Sequence, residues 1–64
     1  MTKTIRELID KEYKGHERIF SGKDNEWKRY SECILKGFIK ALYLTNKLTK
    51  AEYDNELDVI KNMY

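Results

Sequence analysis

The stretch from Asn46 to Tyr53 constrains this chain most, because it reads as the end of one helix followed at once by the start of another. Thr49 and Glu52 have capping-box spacing: the threonine hydroxyl accepts from the Glu52 backbone N–H, and the glutamate carboxylate accepts from the N–H of Thr49. Leu48 before the cap and Tyr53 after it stand where a hydrophobic staple closes. Asn46, three residues before the cap, suits a left-handed helix end, since its short amide tolerates positive φ. The chain must turn sharply here, which lays two helices side by side.

At 64 residues the chain makes a single domain, 1–64, near the lower limit at which a sequence buries enough apolar surface to fold alone. A core of this size rarely yields more than about 3–5 kcal/mol without help. Cys33 is the only cysteine and His16 the only histidine, so neither an intrachain disulfide nor a structural zinc site is available. Self-association or a protein partner is the supplement left. The absence of proline and the abundance of Lys, Glu, Leu, Ile and Tyr belong to a helical protein.

The first dozen residues carry charges every few positions and lack the apolar block of a signal peptide. No run approaches the roughly 18–20 apolar residues of a membrane span, so no membrane role is expected. With an unpaired cysteine as well, the expected home is the cytoplasm. A net charge of +2 does not by itself imply a nucleic-acid partner.

The periodicity predicts a small all-α antiparallel three-helix bundle, with helices over about 5–20, 25–45 and 50–63. In the first, Thr4 and Glu7 repeat the capping-box spacing, and Ile5, Leu8, Ile9, Tyr13, His16, Ile19 and Phe20 share one side. The phase survives Gly15, and Ser21-Gly22 ends the helix, with Gly22 free to take a left-handed cap. A break at Gly15 is the alternative.

Asp24 is placed to cap the second helix. Its predicted core face centres on Trp27, Tyr30, Ile34, Leu35, Phe38, Ala41 and Leu42, and Cys33, Ile39 and Leu44 widen it past half the circumference. A surface helix needs a narrower stripe, so two neighbours are expected, one on each flank. Cys33, Gly37 and Ala41 follow one another at four-residue spacing and let another backbone come close. Cys33 is read as a small buried packing residue.

The third helix places Tyr53, Leu57, Ile60 and Tyr64 at intervals of four, three and four, and Glu52, Asp54, Glu56 and Asp58 crowd its first half, where negative charge suits the helix dipole. Val59 and Met63 point sideways and are candidates for a self-association seam. From about Phe38 to Ile60 the chain resembles SHOCT-type short helical hairpins, through Asn46, Leu48, Thr49, Glu52 and Tyr53, with Asn46 where those hairpins carry glycine. That resemblance implies a small oligomerising or docking hairpin with no catalytic residues.

Glu12 and His16 lie four apart, the spacing of an ion pair, and a catalytic reading would aim His16 at Cys33. Nothing in the chain supplies an oxyanion hole or a glycine-rich phosphate loop, so the expectation is a non-enzymatic protein without cofactor. Residues 23–48 hold six basic and three acidic side chains, and residues 49–64 hold two basic and four acidic. Arg29, Lys36, Lys40 and Lys47 line one side of the second helix with Tyr43 among them, a stripe that could follow a phosphate backbone with Tyr43 as stacking platform. The acidic third helix argues against a helix-turn-helix arrangement.

Tyrosine gives large contact area at low entropic cost, so Tyr13, Tyr43 and Tyr64 join Val59 and Met63 as the expected protein-binding residues. The chain as a whole reads as a small regulatory or accessory protein that docks on another protein or on a second copy of itself. Nucleic-acid binding through the basic stripe is the alternative.

Overall fold

Thr2, in extended backbone, accepts a hydrogen bond from the Ile5 N–H at 3.2 Å and so starts the first helix, α1, Lys3–Phe20. The start falls before the expected Thr4, because capping at Thr2 adds backbone bonds such as Arg6 N–H to Thr2 O at 3.0 Å and brings Ile5 against the core. The helix passes Gly15 unbroken. It ends at Ser21, whose N–H bonds to Glu17 O, and Gly22 does not take the left-handed conformation expected of it. The Lys23 N–H returns to Phe20 O at 3.0 Å instead, which closes the turn without positive φ.

Asp24 then caps α2, Asn25–Leu44, by accepting from the Trp27 N–H at 3.2 Å. Asn46 has φ 63°, the left-handed value, and its N–H bonds to Tyr43 O at 3.1 Å while the Lys47 N–H reaches Leu42 O at 2.8 Å. These two bonds make a Schellman motif with asparagine in the place glycine usually takes. The Thr45 hydroxyl donates to Ala41 O at 2.8 Å, so several of the last carbonyls of α2 are satisfied. Both halves of the expected capping box are present, Glu52 N–H to Thr49 Oγ1 at 3.2 Å and Thr49 N–H to Glu52 Oε1 at 2.8 Å, and they open α3, Lys50–Lys61. Thr49→Ala is expected to cost about 1 kcal/mol, read as a fall of roughly 4–8 °C in Tm by circular dichroism.

This computed structural model describes residues 1–63 as a three-helix bundle of 33 × 17 × 16 Å. Tyr64 lies outside the described residues, and α3 ends two residues short of the expected 63. Among the described residues no helix is long and apolar enough to cross a membrane.

The core is built from Ile9 and Tyr13 of α1, Leu35 and Ile39 of α2, Leu48 of the turn and Ile60 of α3. Both other helices pack on α2, whose buried line is Ser31, Leu35 and Ile39, so the covered face is centred elsewhere than expected. Trp27, Tyr30 and Ile34, expected at the centre of the core face, are 52, 56 and 41 % exposed, and Cys33 is exposed too. Among the described residues, nothing beyond its own stretch of helix lies within 4 Å of where a Cβ on Gly37 would stand, so the close intramolecular approach expected there is absent among them. An apolar arc this wide did not say which half would be covered. Short connections before and after α2 bring both partners to the half that carries Leu35 and Ile39.

Candidate functional site

Glu56, grouped by the sequence with the acidic residues that suit the α3 dipole, is 1 % exposed. Its carboxylate accepts from Arg6 Nη1 at 2.8 Å and Nη2 at 3.2 Å, and from the Tyr13 hydroxyl at 2.8 Å. Asp10 holds the outer side of the same guanidinium, accepting from Arg6 Nη2 at 2.7 Å. Every Cα of α1 is more than 8 Å from every Cα of α3, so the two helices meet through side chains, this network and the core residues Ile9 and Ile60 among them. Hydrogen bonding to Glu56 raises the Arg6 guanidinium further above its ordinary range. A signal for this network stood in the sequence: Arg6, Ile9 and Tyr13, and likewise Tyr53, Glu56 and Ile60, are spaced three and four apart, so each charge occupies a core position.

Tyr13, expected at the surface, is therefore buried and bonded. Burial pushes its phenol well above its ordinary value of about 10, and the bond to the Glu56 carboxylate adds to the effect. A phenol raised on folding contributes stability that is complete below the unfolded value and is lost as pH rises through the folded one. Alkaline titration followed by tyrosinate absorbance should show one tyrosine ionising last, together with loss of helical ellipticity. In Tyr13→Phe that alkaline loss of stability should shrink.

His16 Nδ1 lies 2.8 Å from Oγ of the buried Ser31, so the expected Glu12–His16 pair gives way to a link between α1 and α2. The His16 ring also stacks on Phe20 with centroids 5.4 Å apart. Phe20 meets Trp27 and Tyr30, both at 6.4 Å. These rings close the end of the α1–α2 hairpin that α3 does not reach. At about 1.5 Å per residue α3 spans roughly 18 Å and α2 roughly 30 Å.

The basic stripe divides. Lys36 pairs with Glu32 at 2.9 Å, and that hydrogen bond raises its ammonium above its usual range. Tyr43 stacks on Tyr53 with centroids 4.5 Å apart, and the Lys50 ammonium stands 5.2 Å from the Tyr53 centroid, so one face of Tyr43 is already used. Lys40 borders a shallow groove between α2 and α3 that Asp54 and Asp58 also line. Among the described residues Arg29, Lys40 and Lys47 make no ion pair. Of the expected seam, Val59 is exposed, while Met63 packs against the core.

What the structure leaves uncovered is the outer side of α2. At about 100° per residue, Tyr30, Cys33, Ile34, Gly37, Ala41 and Leu44 fall opposite the buried line of Ser31, Leu35 and Ile39, and all six are exposed. Leu44 is 66 % exposed. Beyond the first turn this arc holds no charged side chain, and at its edge Lys36, Gly37 and Lys40 line the groove toward α3. The signal was the width of the apolar arc, which exceeds what two neighbours on one half can cover. Compared with known proteins, the chain matches no family model, no curated protein and no solved structure.

Proposed function

We propose that this chain is a small non-enzymatic protein-interaction module whose working surface is the outer face of α2, with Tyr30, Ile34 and Leu44 as its large contacts. The observation that carries this reading is the arc of exposed residues, uncharged beyond the first turn, along a helix whose opposite side already fills the core. Apolar around most of its circumference, α2 has the character of a helix buried on both sides, whereas the chain itself covers one. A surface of this kind fits an apolar helical face of a protein, and the likeness of residues 38–60 to SHOCT-type hairpins agrees with a docking role. The exposed thiol of Cys33 favours a reducing compartment, hence the cytoplasm.

A photoreactive amino acid placed at Leu44 should form, on irradiation in cells, a covalent adduct with a polypeptide. The same amino acid at Lys14, on the polar side of α1, should form none; equal yields at both positions overturn the proposal. The competing reading, nucleic acid held by Arg29, Lys40 and Lys47, requires a mobility shift at low salt that weakens steeply between about 50 and 200 mM.

A further inference from the structure

We infer that two copies of the chain can exchange their first helices: the turn at residues 21–24 straightens, α1 and α2 join in one helix, and each α1 seats on the other copy. The partner is a second chain, and its α1 lies on the α2–α3 hairpin where the chain's own α1 already sits. The exchange leaves the outer face of α2 as it is and stands apart from the reading of that face.

The two turns of the molecule are built differently. The one after α2 is held by left-handed Asn46, by two closing backbone bonds and by the reciprocal Thr49–Glu52 cap, with Leu48 buried in the core. The one before α2 has no residue at positive φ, and residues 21–26 are all exposed. Ser21 keeps the helical values φ −61° and ψ −30°, and Asp24, at ψ 177°, leaves the helical path. With neither proline nor a left-handed residue there, a helix can run straight through.

A joined helix also turns the buried faces the same way. Carried at about 100° per residue through residues 21–24, buried Ile9 and Tyr13 of α1 and buried Ser31, Leu35 and Ile39 of α2 fall within about a third of the circumference. An antiparallel partner of the same kind covers both halves of that stripe. Existing contacts set the register. His16 bonds to Ser31 and Phe20 meets Trp27. His16 stands seven residues before Lys23 and Ser31 seven after Asp24, while Phe20 stands three before and Trp27 three after. The hairpin is therefore symmetric about the Lys23–Asp24 bond, and a twofold axis there rebuilds the same contacts between two copies.

Two features name the occupant. Glu56 is 1 % exposed and takes its hydrogen bonds from Arg6 and Tyr13, so whatever lies in the α1 position must bring an arginine and a tyrosine seven apart on a helix. The α1 of a second copy brings both. At the axis, Lys23 of each copy comes level with Asp24 of the other. Among the described residues neither of these makes an ion pair in the single chain. The new junction therefore sets unlike charges against each other.

The test refolds the full chain from urea over a concentration series and reads it by light scattering and small-angle X-ray scattering. A species of twice the 7.7 kDa mass should grow with concentration. At about 1.5 Å per residue its helix over residues 3–44 runs about 63 Å, against a longest extent of 33 Å for the single chain. Asn25→Pro separates the two forms. Proline suits a first helical position with an extended residue before it, which is what the single chain has. It breaks a helix that runs through it, so the dimerisation constant should fall about tenfold or more while helical ellipticity is kept.

Gly22→Ala acts the other way. Gly22 has no positive φ and open space where a Cβ would stand, so the single chain accepts alanine. Alanine is the better helix former and should raise the dimerisation constant about fivefold or more. A monomer at every concentration, in wild type and Gly22→Ala alike, overturns the inference. So does a dimer whose longest dimension stays near that of the single chain, or one that a folded Asn25→Pro leaves intact. Should Asn25→Pro misfold, a dimerisation constant that Gly22→Ala leaves unchanged or lowers is the overturning result.

Discussion

Glu56→Ala is expected to cost about 3 kcal/mol, most of the about 3–5 kcal/mol that a core of this size supplies. The carboxylate is 1 % exposed and takes hydrogen bonds from both ends of the Arg6 fork and from Tyr13. Alanine removes every one of these partners at once. The Tyr13 hydroxyl, enclosed beside the core, then has no acceptor, and Arg6 keeps only Asp10. Since α1 and α3 touch through these side chains rather than backbone to backbone, the gap cannot close by a small shift. Glu56→Gln keeps an oxygen for the Tyr13 hydroxyl but gives up the charge, and should fall between alanine and wild type. Urea denaturation followed by circular dichroism measures all three. A Glu56→Ala chain within about 1 kcal/mol of wild type would mean that Glu56 carries no more than a surface residue does.

The second large effect separates two neighbours. Leu35→Ala should cost about 3 kcal/mol through lost burial and the cavity left behind, whereas Ile34→Ala should cost under about 1 kcal/mol. Leu35 is 0 % exposed and Ile34 is 41 % exposed. Both belong to the apolar arc of α2, and only the half to which each is turned distinguishes them. The comparison belongs at high dilution, where association contributes nothing to apparent stability. Equal costs for the two substitutions would contradict the covered half seen here.

These contrasts also show where the sequence was legible. The turn at Asn46, the capping box at Thr49 and Glu52 and the cap at Asp24 were readable because each is completed within a few residues by the backbone it satisfies. The continuity of α1 through Gly15 was readable from the phase of its apolar residues. The position of the core on α2 was not, because Trp27, Tyr30 and Ile34 are as apolar as Leu35 and Ile39, and the choice between them depends on where two other helices come to rest. The burial of Glu56 was not readable for a related reason. Acidic residues in the first half of a helix have a sufficient local explanation in the dipole, and the partners that draw this one inward are 50 and 43 residues away in sequence. For the outer face, the excess width of the arc was visible, and it was credited to the chain's own helices.

The spacing of α1 and α3 has a consequence for how the molecule comes apart. Each of these helices lies close to α2 along its backbone, while the two meet each other through side chains alone: the bridge at Glu56, the shared core of Ile9, Tyr13 and Ile60, and the Met1 amino group on Glu52. The chain is therefore wired as a hub with two spokes rather than as a closed ring. Breaking a ring at one seam leaves every member held by the other, but a spoke that lets go is gone. Hydrogen exchange should find that α1 can open as a unit while the α2–α3 hairpin keeps its amides protected, so that loss of structure begins at one spoke and spares the hub.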